Sequence, residues 1–314
     1  SAKKTIGAAV EASRIAHMEN VILVAPGTYK GNLNKNIGFD GYNIKLRSQE
    51  GAGNTVIDLE NSGRFIYLQH RESTDSWIDG FTLKNGNTDY GAAIRLNNSE
   101  AIIKNCVFEN NYVSEHGGAI HAEGHYILVR NCKFVGNDAH HGGALALQSN
   151  SNSIIENTEF IGNKSRSHGG TIYIRYGEVT ITTSRFLNNL SRDYGGVIWI
   201  RYEGSKLNMS NTLMRNNWAI TSCADIYGDD GSQTYNITNV TSLGGITNGS
   251  HSHFEGQATI TNSIFEGSIG YNSARPPTAN NNCLANDWSS LGTGNIMVDP
   301  KLTRAGYLTA GSPC

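Results

Sequence analysis

Aromatic, histidine and arginine residues recur beside a repeated glycine pair and form three sets that could bind a ligand. One set directly precedes the glycine pairs: Tyr90, His116, His141, His168 and Tyr194. A second set follows the apolar residue after each pair: Arg95, His121, Ala146, Tyr173, Trp199 and Tyr227. A third set lies two positions further on: Asn97, Glu123, Gln148, Arg175, Arg201 and Asp229. Sugars stack on aromatic rings, and guanidinium groups bind carboxylate or sulfate. We therefore interpret these sets as a candidate glycan-binding face.

The same residues are also compatible with simple packing or with a metal site. Aromatic and β-branched ladders stabilise any parallel sheet without a ligand. Zinc needs about four ligands that converge in a fixed geometry, so packing accounts for the histidines better than a metal does. Calcium is a candidate ligand near Asp225, Asp229 and Asp230, although Gly228–Gly231 is equally typical of a simple turn.

Catalysis on a polysaccharide would need specific pairs of these side chains. Glycoside hydrolysis uses two positioned carboxylates, but Glu123 and Asp229 stand four repeats apart, about 19 Å by strand spacing. A lyase needs a base beside a cation that neutralises a uronate. His121 with Arg95, or Tyr173 with Arg175, could serve in that way, although neither pair is a recognisable lyase signature.

The whole chain is organised by a repeat close to 26 residues. Apolar anchors stand at positions 94, 120, 145, 172, 198 and 226, at intervals of 26, 25, 27, 26 and 28 residues. Most follow a motif such as Gly117-Gly118-Ala119-Ile120. A second motif, Phe-x-x-Asn, keeps the same step at Phe108, Phe134, Phe160 and Phe186. Two motifs locked to one period predict a solenoid.

The segments within each repeat predict β-strands rather than helices. They are short, rich in β-branched residues and punctuated by Asn and Gly, and Ile172–Arg175 and Ile198–Arg201 alternate as strands do. We predict an all-β, single-stranded, right-handed parallel β-helix of about 26 residues per coil. Its interior columns would contain Ile120, Leu145, Ile172 and Ile198 in one stack, and Phe134 between Phe108 and Phe160. Asn105, Asn131 and Asn157 would form an amide ladder at a turn.

The two ends differ from the middle of the chain. Residues Thr5 to His17 have the apolar spacing of an amphipathic helix, which would cover the open strand edges of the first coil. The predicted organisation is therefore a capping helix at 1–20, the β-helix at 21–270 and an irregular region at 271–314, together one structural domain. Cys283 with Cys314 is the favoured disulfide, because it would tie down that last region.

Composition excludes some classes of function. The formal net charge is −2 with no basic stripe, so nucleic acid is not an expected partner. No apolar run is long enough to form a transmembrane helix. Cys106 and Cys132 occupy equivalent positions in adjacent coils, where we expect buried thiols, although a strained disulfide is also conceivable.

The sequence resembles extracellular β-helix proteins of the pectate-lyase-like superfold. The helix followed by Val24-Ala25-Pro26-Gly27-Thr28-Tyr29 is similar to the opening of many of them. The Gly-Gly-Ala-Ile and Phe-x-x-Asn repeats are similar to those of chlamydial polymorphic outer-membrane proteins. Asp299-Pro300 and Gly306-Tyr307-Leu308 resemble the tail of the same group, which usually continues further, so the chain is expected to be trimmed at Cys314.

The resemblance implies a secreted or cell-surface protein, and that group mixes adhesins, structural proteins and carbohydrate-active enzymes. We favour an adhesin or structural fibre component that contacts a polysaccharide or a neighbouring protein subunit. The alternative is a polysaccharide lyase or another enzyme that acts on acidic glycans. The near-constant coil length leaves little room for loops that would wall a cleft. The expected contact residues are Tyr173, Arg175, Trp199, Arg201, His116, His121, Glu123, Arg95 and Tyr227.

Overall fold

The chain folds into a parallel β-solenoid of about nine coils in a computed structural model. The structure describes residues 3–16, 21–149, 152–245, 247–284, 289–298, 301, 310 and 312. One α-helix, Ile6–Ile15, precedes the strands, and two short 3-10 helices lie at Asn32–Asn34 and Ser289–Leu291. Within these described ranges, no helix is long and apolar enough to span a membrane.

Each regular coil contributes strands to three sheets that surround one core. The nine-stranded sheet comprises Ile66–Leu68, Ile94–Asn97, Ile120–Glu123, Leu145–Gln148, Ile172–Arg175, Ile198–Arg201, Ile226–Gly228, Ser252–Phe254 and Ile269–Tyr271. The six-stranded sheet comprises Asn87–Thr88, Tyr112–Val113, Asp138–Ala139, Lys164–Ser165, Leu190–Ser191 and Trp218–Ala219. Neighbouring strands in both sheets are parallel and come from successive coils, as the predicted solenoid requires.

The third and largest sheet carries two strand positions in most coils. Its first half contains Val21–Val24, Gly27–Tyr29, Lys45–Ser48, Thr55–Asp58, Trp77–Asp79, Thr82–Lys84, Ala101–Lys104, Val107–Glu109, Ile127–Arg130 and Lys133–Val135. Its second half contains Ser153–Glu156, Glu159–Ile161, Glu178–Thr182, Arg185–Leu187, Lys206–Arg215, Thr234–Leu243, Gln257–Thr261, Ile264–Phe265, Thr278–Asn280 and Cys283–Leu284.

The predicted interior columns are confirmed. Ile120, Leu145, Ile172 and Ile198 are paired in register on successive strands and are fully buried. Phe134 is fully buried, with ring centroids 4.5 Å from Phe108 and 4.8 Å from Phe160. The shared period therefore brings like side chains into contact one coil apart, which buries them without any further sequence signal.

Asparagine amides extend this stacking at two corners of the coil. The predicted ladder is present, because Asn157 donates to Asn131 and Asn131 donates to Asn105. A second ladder lies inside and uses the Asn of each Phe-x-x-Asn motif. Asn163 Nδ2 donates to Asn189 Oδ1 at 3.1 Å and to the Phe134 carbonyl oxygen, so the buried amide is satisfied.

The glycine pairs are required by the backbone. Gly142 has a φ of 62°, which disfavours a side chain. A Cβ on Gly143 would lie 2.3 Å from the Lys164 carbonyl oxygen and 2.4 Å from that of Gly170. Successive coils therefore approach too closely for any other residue at this corner, and the glycines set the position of the residues on either side of them.

The ends of the chain modify the sequence-based boundaries. The helix Ile6–Ile15 lies within the predicted Thr5–His17, and its Ile6 and Val10 join the main core. The sequence predicts an irregular region at 271–314, but strands Thr278–Asn280 and Cys283–Leu284 continue the large sheet beyond residue 270. The prediction fails there because these last coils are shorter than 26 residues, as the pairing of Thr259 with Thr278 shows.

The cysteines occupy different environments. Cys106 and Cys132 are buried free thiols, and Cys223 is also buried and free. Cys283 is disulfide-bonded. Its predicted partner, Cys314, lies outside the described residues.

Candidate functional site

The outer face of the nine-stranded sheet is largely sealed from solvent, contrary to the predicted exposed track. His121 and Tyr173 are each 2% exposed, and Trp199 is 3% exposed. Together with Ala146 and Tyr227, Tyr173 and Trp199 form a cluster separate from the main core. The alternation predicted from the sequence is therefore correct, since these side chains leave the interior, but the expectation of exposure is wrong.

The histidines before the glycine pairs are the reason for this burial. The ring of His141 lies 5.5 Å from Tyr173 and 4.9 Å from Trp199, and the ring of His168 lies 4.3 Å from Trp199. Tyr173 and Trp199 themselves stack at 4.7 Å. The segment that leads into each of these glycine pairs therefore covers outward side chains of the coils that follow: His141 covers Tyr173 and Trp199, and His168 covers Trp199.

These histidines are held in the neutral form. Burial, reinforced by the neighbouring imidazoles of His140, His116 and His168 and by the Arg201 guanidinium, lowers the pKa of His141 to about 2. Burial and Arg95 lower the pKa of His121 to about 3. Burial also lowers the pKa of His116 and His168. Within the described parts of the chain, no three His, Cys, Asp or Glu side chains are placed to hold one metal ion.

Arg95 belongs to a polar cluster at the N-terminal side of this ladder. Its guanidinium lies over Tyr67 at 5.2 Å and Tyr90 at 4.9 Å, and Nη1 is 3.7 Å from Asp89 Oδ2. His121 occupies the register position beside it on the next coil, and its Nε2 is 3.0 Å from the Gln148 amide nitrogen. Of the two predicted lyase pairs, Arg95 and His121 are thus neighbours on adjacent strands, but His121 is covered, and Tyr173 of the pair with Arg175 is covered as well.

Tyr176 is an exposed aromatic ring beside this face and Tyr202, at the same position of the next coil, is half-buried; the strand pattern predicts neither. They stack at 4.7 Å with an interplanar angle of 6°, and Tyr176 is 47% exposed. The Arg175 guanidinium lies 5.4 Å from the Tyr176 centroid and 5.1 Å from the Tyr202 centroid. Arg201 lies 4.4 Å from the Tyr202 centroid and 5.0 Å from that of Trp199. We call Arg175, Tyr176, Arg201 and Tyr202 the arginine–tyrosine platform.

The backbone of the two platform tyrosines has an unusual conformation. Tyr176 has a φ of 51° and Tyr202 a φ of 69°. In the preceding coils the same turn position carries Asn98, Gly124 and Ser149. Each of these residues directly follows one of the three aligned strand residues Asn97, Glu123 and Gln148. Bulky residues are rare at positive φ. The sequence signal that could have revealed the platform is therefore a tyrosine at a turn position where neighbouring coils have Asn, Gly or Ser.

A pair of acidic residues follows the platform towards the C-terminus. Tyr227 pairs with His253 on the next strand, so Asp229 and Glu255, each two positions further on, stand one coil apart. Glu255 Oε1 is 2.7 Å from His253 Nε2, and Asp229 Oδ2 is 3.8 Å from Arg201 Nε. Burial raises the pKa of Asp229. Glu255 is absent from the predicted set, although His253 follows Tyr227 at the regular interval of 26 residues.

The remaining predicted ligands have separate surroundings. Asp225 is buried, accepts hydrogen bonds from Asn217 and Ser242, and has its pKa raised by burial. Asp230 instead accepts from Ser232 in a surface turn, so the proposed calcium ligands do not share one set of contacts. Glu123 is exposed.

A cavity of about 500 Å³ lies at the same corner of the solenoid as the platform, several coils towards the N-terminus. Arg71, Glu72, Ser73, Asn98, Glu100 and His125 line it. Glu72 is 1% exposed and accepts hydrogen bonds from the Gly41 and His70 amides and from Ser99. This carboxylate therefore holds the long turn in place, and no repeat motif of the sequence points to the cavity.

The right handed beta helix region family matches residues 42–212, and the chain belongs to that family. No curated protein matches the chain. Among the solved structures that are similar to the chain, two have a TM-score of 0.50. They are a PL6 alginate lyase in complex with a trisaccharide, at 14% identity, and ORF18 of Geobacillus virus E2, at 11% identity.

The likeness to these structures concerns the fold alone. The alignments cover 83% and 87% of this chain but only 58% and 56% of the respective neighbours, so the chain spans little more than half of their length. PfbA, a surface adhesin of Streptococcus pneumoniae, is more distant, with a TM-score of 0.41 and 13% identity over 92% of this chain and 85% of the adhesin.

Proposed function

We propose that this chain is a secreted or cell-surface β-helix protein that acts as an adhesin or structural surface component. It contacts a glycan or a neighbouring protein subunit beside the nine-stranded sheet. The observation that carries this proposal is the arginine–tyrosine platform, which presents two stacked rings and two guanidinium groups on consecutive coils. Arginine and tyrosine are the residue types that dominate binding energy at recognition sites.

Two further features favour this role over catalysis. Only three residues separate Asn97 from Ala101 and Glu123 from Ile127, and two separate Arg175 from Glu178. Such short turns give the adjacent surface low walls, whereas enzyme sites are usually concave. The resemblance of the Gly-Gly-Ala-Ile and Phe-x-x-Asn repeats to chlamydial polymorphic outer-membrane proteins supports a location at the cell surface.

The experiment that tests this role measures binding and assembly with the whole chain. We expect it to be retained by a glycan surface or to self-associate in a concentration-dependent way, as judged by glycan arrays and light scattering. Exchange of Arg175 and Arg201 for Gln should weaken whichever contact is found. A chain that binds no glycan, does not assemble and is not accessible on intact cells would contradict the proposal.

Asp229 and Glu255 favour a second candidate, a carbohydrate-active enzyme. Strand spacing places equivalent positions about 4.8 Å apart, close to the separation of about 5 Å between the carboxyl groups of retaining glycosidases. The raised pKa of Asp229 suits a proton donor, and Glu255 Oε1 lies 2.7 Å from His253 Nε2. Depolymerisation of an acidic polysaccharide by the parent, lost in Asp229→Asn, would establish this candidate instead of the first.

A further inference from the structure

We propose that the arginine–tyrosine platform is a binding site for a carboxylated polysaccharide, whose chain runs along the solenoid axis. This inference rests on the proposed function and narrows it from an unspecified partner to a uronate-type glycan held by Arg175, Tyr176, Arg201 and Tyr202. The sealed ladder of His121, Tyr173 and Trp199 is not part of the contact, although the Trp199 ring packs against the Arg201 guanidinium.

The rings are placed for stacking on sugars. Tyr176 and Tyr202 repeat at the spacing of one coil, and Tyr176 is 47% exposed. The equivalent residue of the preceding coil is Ser149, whose side chain is too small to cover a tyrosine ring. The outer face of Tyr176 is therefore accessible to the apolar face of a sugar.

The conformation of these tyrosines argues against a purely structural role. Of the 24 non-glycine residues with positive φ in the described part of the chain, 15 are Asn, and the only aromatic ones are Tyr176 and Tyr202. Asn tolerates this conformation better than bulky residues do. A turn that served only the fold would be more stable with Asn, and strained residues of this kind concentrate at functional sites.

The two guanidinium groups supply the preference for a carboxylate. Within the described residues, no carboxylate lies within 4.0 Å of the Arg175 guanidinium, and its Nη1 donates to Gln148 Oε1 at a long 3.4 Å. Arg201 is 37% exposed at its side chain, and its Nε is 3.8 Å from Asp229. Packing against the rings orients both groups while leaving N–H donors for a ligand.

The repeat of the site matches a polymer better than a single small anion. One ring and one cation recur on two consecutive coils, about 4.8 Å apart along the axis. A uronate polysaccharide also repeats one ring and one carboxylate per unit. A neutral glycan would use only the rings and leave the two guanidinium groups without a partner.

The test compares the parent with a double variant, Tyr176→Asn with Tyr202→Asn. Titration calorimetry would use an oligogalacturonate and a neutral oligoglucoside of the same length. We expect the parent to prefer the oligogalacturonate and the double variant to bind it at least about tenfold more weakly. A second double variant, Arg175→Gln with Arg201→Gln, should lose the preference for the acidic oligosaccharide.

Matched controls separate this site from general surface effects. Trp218→Thr removes a ring that is 48% exposed on the six-stranded sheet, and Arg130→Gln with Arg185→Gln removes two charges from the large sheet. Both should leave the affinity for oligogalacturonate unchanged. In the parent, hydrogen–deuterium exchange should slow on oligogalacturonate addition in the segment 175–203, which tests the site even if a variant fails to fold.

The outcomes distinguish this inference from the broader proposal. If the parent binds oligogalacturonate and the tyrosine variant binds equally well, the platform is not the site, although a surface role stands. If the parent binds no acidic glycan but assembles through the platform, the uronate assignment is overturned in favour of a protein partner. Equal affinity for the neutral and the acidic oligosaccharide would overturn the role of the arginines.

Discussion

The interior column of Phe108, Phe134, Phe160 and Phe186 and the outer ladder of His121, Ala146, Tyr173 and Trp199 are both buried, but by different means. Each phenylalanine is enclosed by the three sheets and is fully buried because it points inward. The outer ladder points away from the core, and its Tyr173 and Trp199 are covered by histidines that precede the glycine pair of the coil before.

The difference between these two regions shows that the direction in which a side chain projects and its exposure to solvent are separate properties, although a strand pattern is often used to predict both. Alternation determines the side of the sheet from which a residue projects. Exposure depends on whether another segment covers that side. In this protein His141 and His168 cover Trp199, whereas Tyr176, which follows the strand of the neighbouring coil, is 47% exposed.

The largest expected effect concerns the interior. Phe134→Ala should lower the free energy of unfolding by about 3–5 kcal/mol, because it leaves a cavity between two stacked rings. Denaturant unfolding of parent and variant measures this difference. A loss below about 1 kcal/mol would show that the interior column is not tightly packed.

The next prediction tests whether the outer ladder behaves as a second core. Trp199→Ala should cost about 3 kcal/mol, since the indole is 3% exposed and packs against Tyr173, His141 and His168. The strand pattern alone predicts an outward residue whose removal leaves thermal unfolding nearly unchanged. Trp218→Thr, at an exposed ring of the six-stranded sheet, is the control, and equal effects of the two substitutions would remove the distinction.

The third prediction concerns pH, because the outer ladder contains a titratable residue, His121, whereas the interior column of phenylalanines contains none. His121 has a pKa near 6.5 when unfolded and about 3 when folded. Because the pKa is lower in the folded state, the unfolded chain binds more protons than the folded chain in this pH range. The free energy of unfolding is therefore unaffected by His121 above pH 6.5 and falls as the pH decreases from 6.5 towards 3. On going from pH 7 to pH 5, protonation of His121 in the unfolded chain should lower the free energy of unfolding by about 2 kcal/mol.

Comparison with His121→Gln isolates this contribution, because glutamine does not titrate. The parent should lose more stability than the variant over the same acid range, as measured by denaturant unfolding at each pH. Parallel pH profiles for the two proteins would mean that His121 does not remain neutral in the folded state.

The smallest expected effect belongs to the uncovered part of the outer face. Tyr176→Asn with Tyr202→Asn removes a stacking contact of about 1 kcal/mol but relieves two positive-φ conformations that cost a similar amount. The melting temperature should therefore stay close to that of the parent. A large loss would place these tyrosines with the buried ladder rather than with an exposed site.

The fold could be predicted from the sequence because each coil repeats the same local pattern. The spacing of Ile120, Leu145, Ile172 and Ile198 and the Phe-x-x-Asn motif give both the period and the inward phase. The last coils escape this pattern because their strands are closer together in the chain, as at Thr259 and Thr278. A fixed period cannot reveal a coil that departs from it.

The candidate site was only partly predictable. Arg175, Arg201 and Tyr227 were identified correctly as outward positions, because alternation alone decides that. The burial of His121, Tyr173 and Trp199 depends on how the His141 and His168 segments pass over them, and this passage has no signature in the strand pattern. The exposure of Tyr176 and the approach of Glu255 to Asp229 likewise arise between coils.

The sequence by itself determined the period, the strand alternation and the glycine corners, since these depend on contacts that every coil makes with its neighbour one repeat away. Only the tertiary structure decided which outward side chains meet water. Coverage of the outer face depends on the path of the turns, and small differences between coils change that path. The arginines that the sequence identified therefore lie beside the exposed Tyr176 and the half-buried Tyr202, whereas Tyr173 and Trp199 are covered.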